Sequence, residues 1–130
     1  MSSVALDSSA LIALLNAERG GDLVKSMLAE AAVSTVNLAE VTTKLVDWRI
    51  DLDDLSTIVR EGKVEIVPFT EAQARLCGEL RRTTRSRGLS LGDRACLALA
   101  QERGLTAVTA DGAWVGATSV PVLLIRPQKP

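Results

Sequence analysis

The chain contains no histidine and no tyrosine, and its aromatic residues amount to 2%: Trp48, Phe69 and Trp114. Without histidine, a nucleophilic triad lacks its usual base and a zinc site lacks its usual nitrogen ligand. Any chemistry must therefore rest on carboxylates, hydroxyls, Lys and Arg, or a bound metal. With so few aromatics there is little material for the stacking platforms of general single-strand binders. Cysteine is limited to Cys77 and Cys96, each inside a helical apolar pattern, which predicts two reduced core residues rather than a disulfide. No apolar run approaches the roughly 18 residues of a membrane span. Ser2-Ser3 do not make a basic leader, so neither a span nor a signal peptide is expected and the expected compartment is the cytoplasm. An excess of one charge is missing too: the net charge is −1, which does not suggest a strong nucleic-acid binder.

What is present is aliphatic. The 130 residues are 47% apolar with a mean hydropathy of +0.20. A single domain over residues 1–130 is expected, burying roughly two-thirds of its unfolded surface. Strand signals fall at Val4–Asp7, Ala32–Thr35, Val64–Phe69, Thr106–Thr109 and Val122–Ile125. Helical patterns fall at Ala10–Ala17, Leu23–Ala31, Leu38–Arg49, Leu55–Glu61, Glu71–Arg87 and Leu91–Arg103. Short β-rich runs alternating with helices predict an α/β fold with a mainly parallel sheet and helices on both faces. Gly88 and Gly104 stand where helix-ending glycines belong, and Pro127 and Pro130 stop the last strand.

In an open α/β sheet, ligands bind outside the carboxyl ends of the strands. Asp7 ends the first strand, with Asp7, Ser8 or Ser9 available to cap the next helix. Glu40 follows the second strand in the first turn of a helix, where Asn37 and Glu40 fit a capping box loosely. Asp111 follows the fourth strand and precedes a glycine, as a turn acid would. Asp93 opens a further helix three residues after Ser90, again as in a capping box. Each acid taken alone is adequately explained by capping or turn chemistry. Asp7, Glu40 and Asp111 nevertheless share the carboxyl edge if the strands are parallel. Two carboxylates ~4 Å apart repel by about 4 kcal/mol at an effective dielectric of 20. Such a cluster demands protonation or a cation, and hard oxygen ligands suit Mg²⁺ or Mn²⁺. Phosphodiester hydrolysis is a natural chemistry there.

Charge is unevenly spread. Residues 1–65 hold 6 Lys/Arg against 11 Asp/Glu, a net −5, and residues 66–130 hold 9 against 5, a net +4. Much of the positive charge lies in Arg75, Arg81, Arg82, Arg85 and Arg87, read either as a solvated helix face or as a phosphate patch.

The blocks LDSSALIALLNAE, VSTVNLAEV, LSLGDRACLALA and AVTADGAW resemble, in order and spacing, those of the PIN-domain ribonucleases. The length and short last strand resemble the VapC-type toxin branch. The resemblance implies a PIN-like three-layer α/β/α sandwich with a central, mainly parallel five-stranded sheet. It also implies a Mg²⁺/Mn²⁺-dependent endoribonuclease, homodimeric and held inactive by a small VapB-type antitoxin. Carried over by position, Asp7 and Asp93 would be the principal metal ligands. Glu40 and Asp111 would contact metal directly or through water, Thr109 would be the accompanying hydroxyl, and Ser8 and Asn37 would hold waters or carboxylates. The implied reaction is attack of a metal-activated water on RNA, leaving a 5′-phosphate and a 3′-hydroxyl. RNA, for example tRNA or an rRNA loop, would be held through phosphates and shape by Arg81, Arg82, Arg85 or Arg87. The over-apolar stretch LIALLNAERGGDLVKSMLAEA offers a dimer face or an antitoxin groove. Two other readings stay open: a Mg²⁺-dependent phosphatase or phosphoacceptor domain, which Ser8-Ser9 after the first acid disfavours, and a non-catalytic PIN-like binding module.

Overall fold

The computed structural model describes residues 1–128; Pro130 lies outside them. The strands are β1 (Val4–Leu6), β2 (Ala31–Ser34), β3 (Glu65–Val67), β4 (Thr106–Thr109) and β5 (Val122–Leu124). They form one sheet in the order β3-β2-β1-β4-β5, parallel at every pairing. The helices are α1 (Ser8–Leu15), α2 (Gly21–Ser26), α3 (Thr35–Asp47), α4 (Asp53–Glu61), α5 (Glu71–Glu79), α6 (Arg81–Thr84) and α7 (Leu91–Arg103).

Side chains alternate across a strand, so each strand feeds two cores. Val4, Leu6, Val33 and Val108 pack with apolar residues of α1 to α4 on one face. Ala5, Ala32 and Ala107 pack with α5 and α7 on the other. Those three alanines are small, which lets α7 lie close against the sheet. Ala95 to Ala100 on α7 are all fully buried, so this helix is a core rod rather than an amphipathic one. Cys77 and Cys96 are free and buried, as expected. Burial pushes both thiols up, that of Cys96 well above its ordinary value.

Three helical expectations need correction. The predicted Leu23–Ala31 helix ends at Ser26; a 3-10 turn at Leu28–Glu30 follows and Ala31 enters the sheet, paired with Val4. Sheet pairing overrides local propensity there. The predicted Glu71–Arg87 helix is interrupted at Leu80 and finishes as a 3-10 turn at Arg85–Arg87. The hydroxyls of Thr83 and Thr84 donate back to the Leu80 carbonyl, a competition that bends helices. The helix over Leu38–Arg49 instead starts at Thr35, because the Ser34 hydroxyl caps it by accepting from the Val36 N–H. Asn37 is therefore inside the helix, Glu40 lies beyond its first turn, and the loose Asn37–Glu40 capping box does not exist. The helix over Leu91–Arg103 is as expected, and Gly88 and Gly104 both adopt left-handed conformations, φ 66° and 67°.

Candidate active site: an acidic crevice at the carboxyl edge

Strand order reverses around β1, which has β2 on one side and β4 on the other. Outside the carboxyl ends of β1 and β4 lies a crevice of about 420 Å³, where such sheets bind ligands. Asp7, Ser8, Ser9, Ile12, Glu18, Glu40, Lys44, Trp48, Asp93, Asp111 and Arg126 line it. All four sequence-predicted acids are among them.

Each acid is delivered by a different connection. Asp7 leaves β1 and caps α1, its Oδ1 accepting from the Ala10 N–H at 2.9 Å. Glu40 comes from α3, which follows β2. Asp111 follows β4 and caps a short 3-10 turn by accepting from the Ala113 N–H. Asp93 sits at the start of α7, the helix that leads into β4. A helix joining parallel strands must run back along the sheet, so its N-terminus lies at the carboxyl edge. Asp93 is held there by a capping box, accepting from the Ser90 N–H at 2.8 Å while the Ser90 hydroxyl accepts from the Asp93 N–H.

Hydroxyls fix the orientation of these carboxylates. Thr109, fully buried, donates to Asp7 Oδ2 at 2.6 Å and accepts from the Asp111 N–H. Ser9 donates to Asp7, 2.8 and 2.9 Å from its two oxygens, and accepts from the Ala110 N–H. Ser8 donates to Glu40 Oε1. Asn37 Nδ2 donates to the same oxygen at 3.0 Å and to the Gly92 carbonyl at 3.1 Å. Ser8, Asn37 and Thr109 thus stand where the sequence expectation puts them, against the acids. Ser9 escapes that expectation because its role depends on a contact with residue 110, far away in sequence.

Electrostatics ties the acids together. Asp7 is 3% exposed, and burial raises its carboxyl from 3.8 to about 6 despite bonds from Thr109, Ala10 and Ser9; the charge of Asp93 adds to the rise. Asp93 is raised by burial as well, and further by the charges of Asp111 and Glu40. Charged carboxylates facing one another in a low-dielectric crevice are what a cation relieves.

The donor set fits a hard divalent ion. The acids offer oxygen only, Asn37 Oδ1 is buried without a partner, and a Cβ at Gly92 would overlap the Glu40 carboxylate. Among the described residues no three acids converge closely enough to hold an ion as they stand. The reason is visible in the bonds: each carboxylate is turned toward a hydroxyl, an amide or a backbone N–H.

The basic residues divide. Arg81, Arg82 and Arg85 line a separate surface depression with Arg75, and Arg75 pairs with Glu71. Arg87 donates to the carbonyls of Ala113 and Val115 and so clasps the turn after Asp111. None of these arginines lines the acidic crevice. Among the described residues the cations that do are Lys44 and Arg126.

The fold and this crevice define a class: an α/β domain presenting an all-carboxylate site at the switch point of a parallel sheet. The chain belongs to the PIN domain family, whose profile matches residues 4–116. Comparison with curated proteins finds no match. Among solved structures, DNA-bound VapBC from Salmonella typhimurium is similar at 15% identity and TM-score 0.75, covering 97% of this chain and 100% of that one. VapC20 from Mycobacterium tuberculosis, a sarcin-ricin loop cleaving toxin, is similar at 22% identity and TM-score 0.71, covering 92% and 99%. FitAcB from Neisseria gonorrhoeae is similar at 21% identity and TM-score 0.68, covering 94% and 97%.

Proposed function

We propose that the chain is a divalent-metal-dependent endoribonuclease, the toxin of a VapBC-type toxin–antitoxin module. One observation carries the reading: four acids from four separate connections line one crevice at the switch point of the sheet. Asp7 and Asp93 would be the main holders of Mg²⁺ or Mn²⁺, with Glu40 and Asp111 beside them. When bound, such an ion offsets the repulsion between the acids, acidifies a water and steadies charge on a phosphoryl group. The protein's own part is orientation. Ser9 and Thr109 occupy both oxygens of buried Asp7, which suits a fixed ligand and not a nucleophile that must attack. Ser8 and Asn37 aim Glu40, and the capping box aims Asp93.

RNA as substrate is supported by the family and by the sarcin-ricin loop cleavage named for one structural neighbour. Several neighbours are toxin–antitoxin complexes, which supports an antitoxin partner and a homodimer here. Leu91 is exposed at an apolar groove between α3 and α7, and Leu23, Ile50 and Leu52 are exposed elsewhere; these are surfaces such partners would cover. No helix among the described residues is long and apolar enough to cross a membrane.

The test is direct. Purified protein cuts RNA in Mg²⁺ or Mn²⁺ on a denaturing gel, and EDTA or Asp7→Asn abolishes the cutting. Undiminished cleavage by the variant, or cleavage without metal, refutes the reading. Induced expression in bacteria, wild type against Asp7→Asn, then shows growth arrest by the wild type alone.

A further inference from the structure

The acidic crevice poses a problem for its own substrate, because four carboxylates repel a polyanion. Among the described residues two cations, Lys44 and Arg126, stand on its rim. Arg126 is already engaged, its Nη1 3.3 Å from Glu18 Oε1 and 3.0 Å from the Arg19 carbonyl. Lys44 has no carboxylate partner among the described residues. Its Nζ rests 5.9 Å from the ring centroid of Trp48, a contact that is weak at exposed sites.

Glu40, Lys44 and Trp48 follow one another at four-residue spacing along α3 and its C-cap. That spacing stacks them on one face, on successive turns ~5.4 Å apart. The face thus leads from an acid of the site, through a free ammonium, to an indole. Trp48 is 45% exposed, whereas Trp114 is completely buried. In a chain with three aromatics, one ring is held at the mouth of the crevice instead of in either core.

Resting on the nuclease reading, we propose that Trp48 and Lys44 form a nucleotide subsite beside the acids. The base next to the bond being cut stacks on the indole, and Lys44 leaves the ring to pair with that nucleotide's phosphate. One ring suffices, since every base has a π-face, and the lysine offsets repulsion where the backbone passes Glu40. The ring stands beside the Lys44 ammonium in a crevice lined by charged groups, a setting that suits a nucleotide better than an apolar protein surface.

The experiment titrates hexaadenylate into the Asp7→Asn chain, in which cutting is expected to be abolished, and follows tryptophan emission. Buried Trp114 supplies a constant background, so stacking appears as quenching of the exposed indole. Adding Trp48→Leu abolishes the quenching and weakens binding about ten-fold, whereas Trp48→Phe stays within about three-fold of the parent because it keeps a π-face. Lys44→Met lowers the slope of log affinity against log salt by about 0.7, the loss of one phosphate contact on a single strand. Thermal melting confirms that each variant is folded. Unchanged affinity and salt slope, or binding without quenching, overturn the subsite. So does a Trp48→Leu chain that binds RNA normally but changes oligomeric state, which makes the ring a protein contact. If the unsubstituted chain cuts RNA while these tests fail, the subsite falls and the nuclease reading stands; if it cuts none, both fall.

Discussion

Asp7 shows at the scale of one residue how a site of this kind works against the fold that holds it. Its carboxyl titrates near 6 instead of 3.8 because it is buried. A folded-state value above the unfolded one means that the native chain holds the proton more tightly. Stability is therefore greatest below about pH 4 for this group and is lost as pH rises through about 6. A shift of roughly two pH units corresponds to a cost on the order of 3 kcal/mol at neutral pH. In metal-free buffer, Asp7→Asn should be more stable than wild type at pH 7.5, with the difference shrinking as pH falls from 6 to 4. Urea denaturation across that range measures it. A constant difference would mean that Asp7 is not the strained group. Asn retains the capping of α1 through Oδ1, but its Nδ2 replaces the oxygen that accepts from Thr109, so the pH-dependent part of the difference is what reports the charge. Activity moves the opposite way, as expected where function is built on local strain.

At the scale of elements, the decisive packing is α3 against the N-terminus of α7. Gly92 lies in the first turn of α7, and a Cβ there would overlap the Glu40 carboxylate. Ala ordinarily improves a helix over Gly by about 1 kcal/mol. Here the far end of Glu40 yields instead, so Gly92→Ala should leave the melting temperature within a few degrees of wild type. RNA cleavage should fall at least about ten-fold, the effect of ~1.4 kcal/mol in transition-state stabilisation. Full activity in a folded Gly92→Ala chain would show that the position of Glu40 is unimportant.

The same pair of helices marks where the sequence was legible. Asp7 and Asp111 could be placed because strand ends are written in apolar runs that stop at an acid. Glu40 was placed on the right edge with the wrong cap, since Ser34 and Asn37 are both competent and only the sheet register decides where the strand ends. Asp93 follows no strand, and only the return direction of a helix between parallel strands brings it to that edge. Lys44 and Trp48 went unread because their spacing from Glu40 acquires meaning only once Glu40 is known to face the crevice. The break at Leu80 was hidden for another reason: hydroxyls at Thr83 and Thr84 bend a pattern that stays helical in period.

At the scale of the whole molecule, the acids form one electrostatic unit: the charge of Asp93 adds to the rise at Asp7, and those of Asp111 and Glu40 add to the rise at Asp93. Anything that binds the folded chain and not the unfolded one stabilises it in proportion to log concentration. Mg²⁺ should therefore raise the melting temperature of wild type by more than that of Asp93→Asn; at 100 times its dissociation constant the gain is about 2.7 kcal/mol. Differential scanning fluorimetry over a Mg²⁺ series reads this, and equal shifts would remove Asp93 from the site.

Thr109 also sets a condition on assembly. Asp7 leaves β1, yet the hydroxyl that holds it comes 102 residues further along the chain, on β4, and Asp111 comes later still. A chain that stops short of Thr109 has an unsupported first acid and no fourth one. The site is therefore completed only when β4 has joined β1 in the sheet.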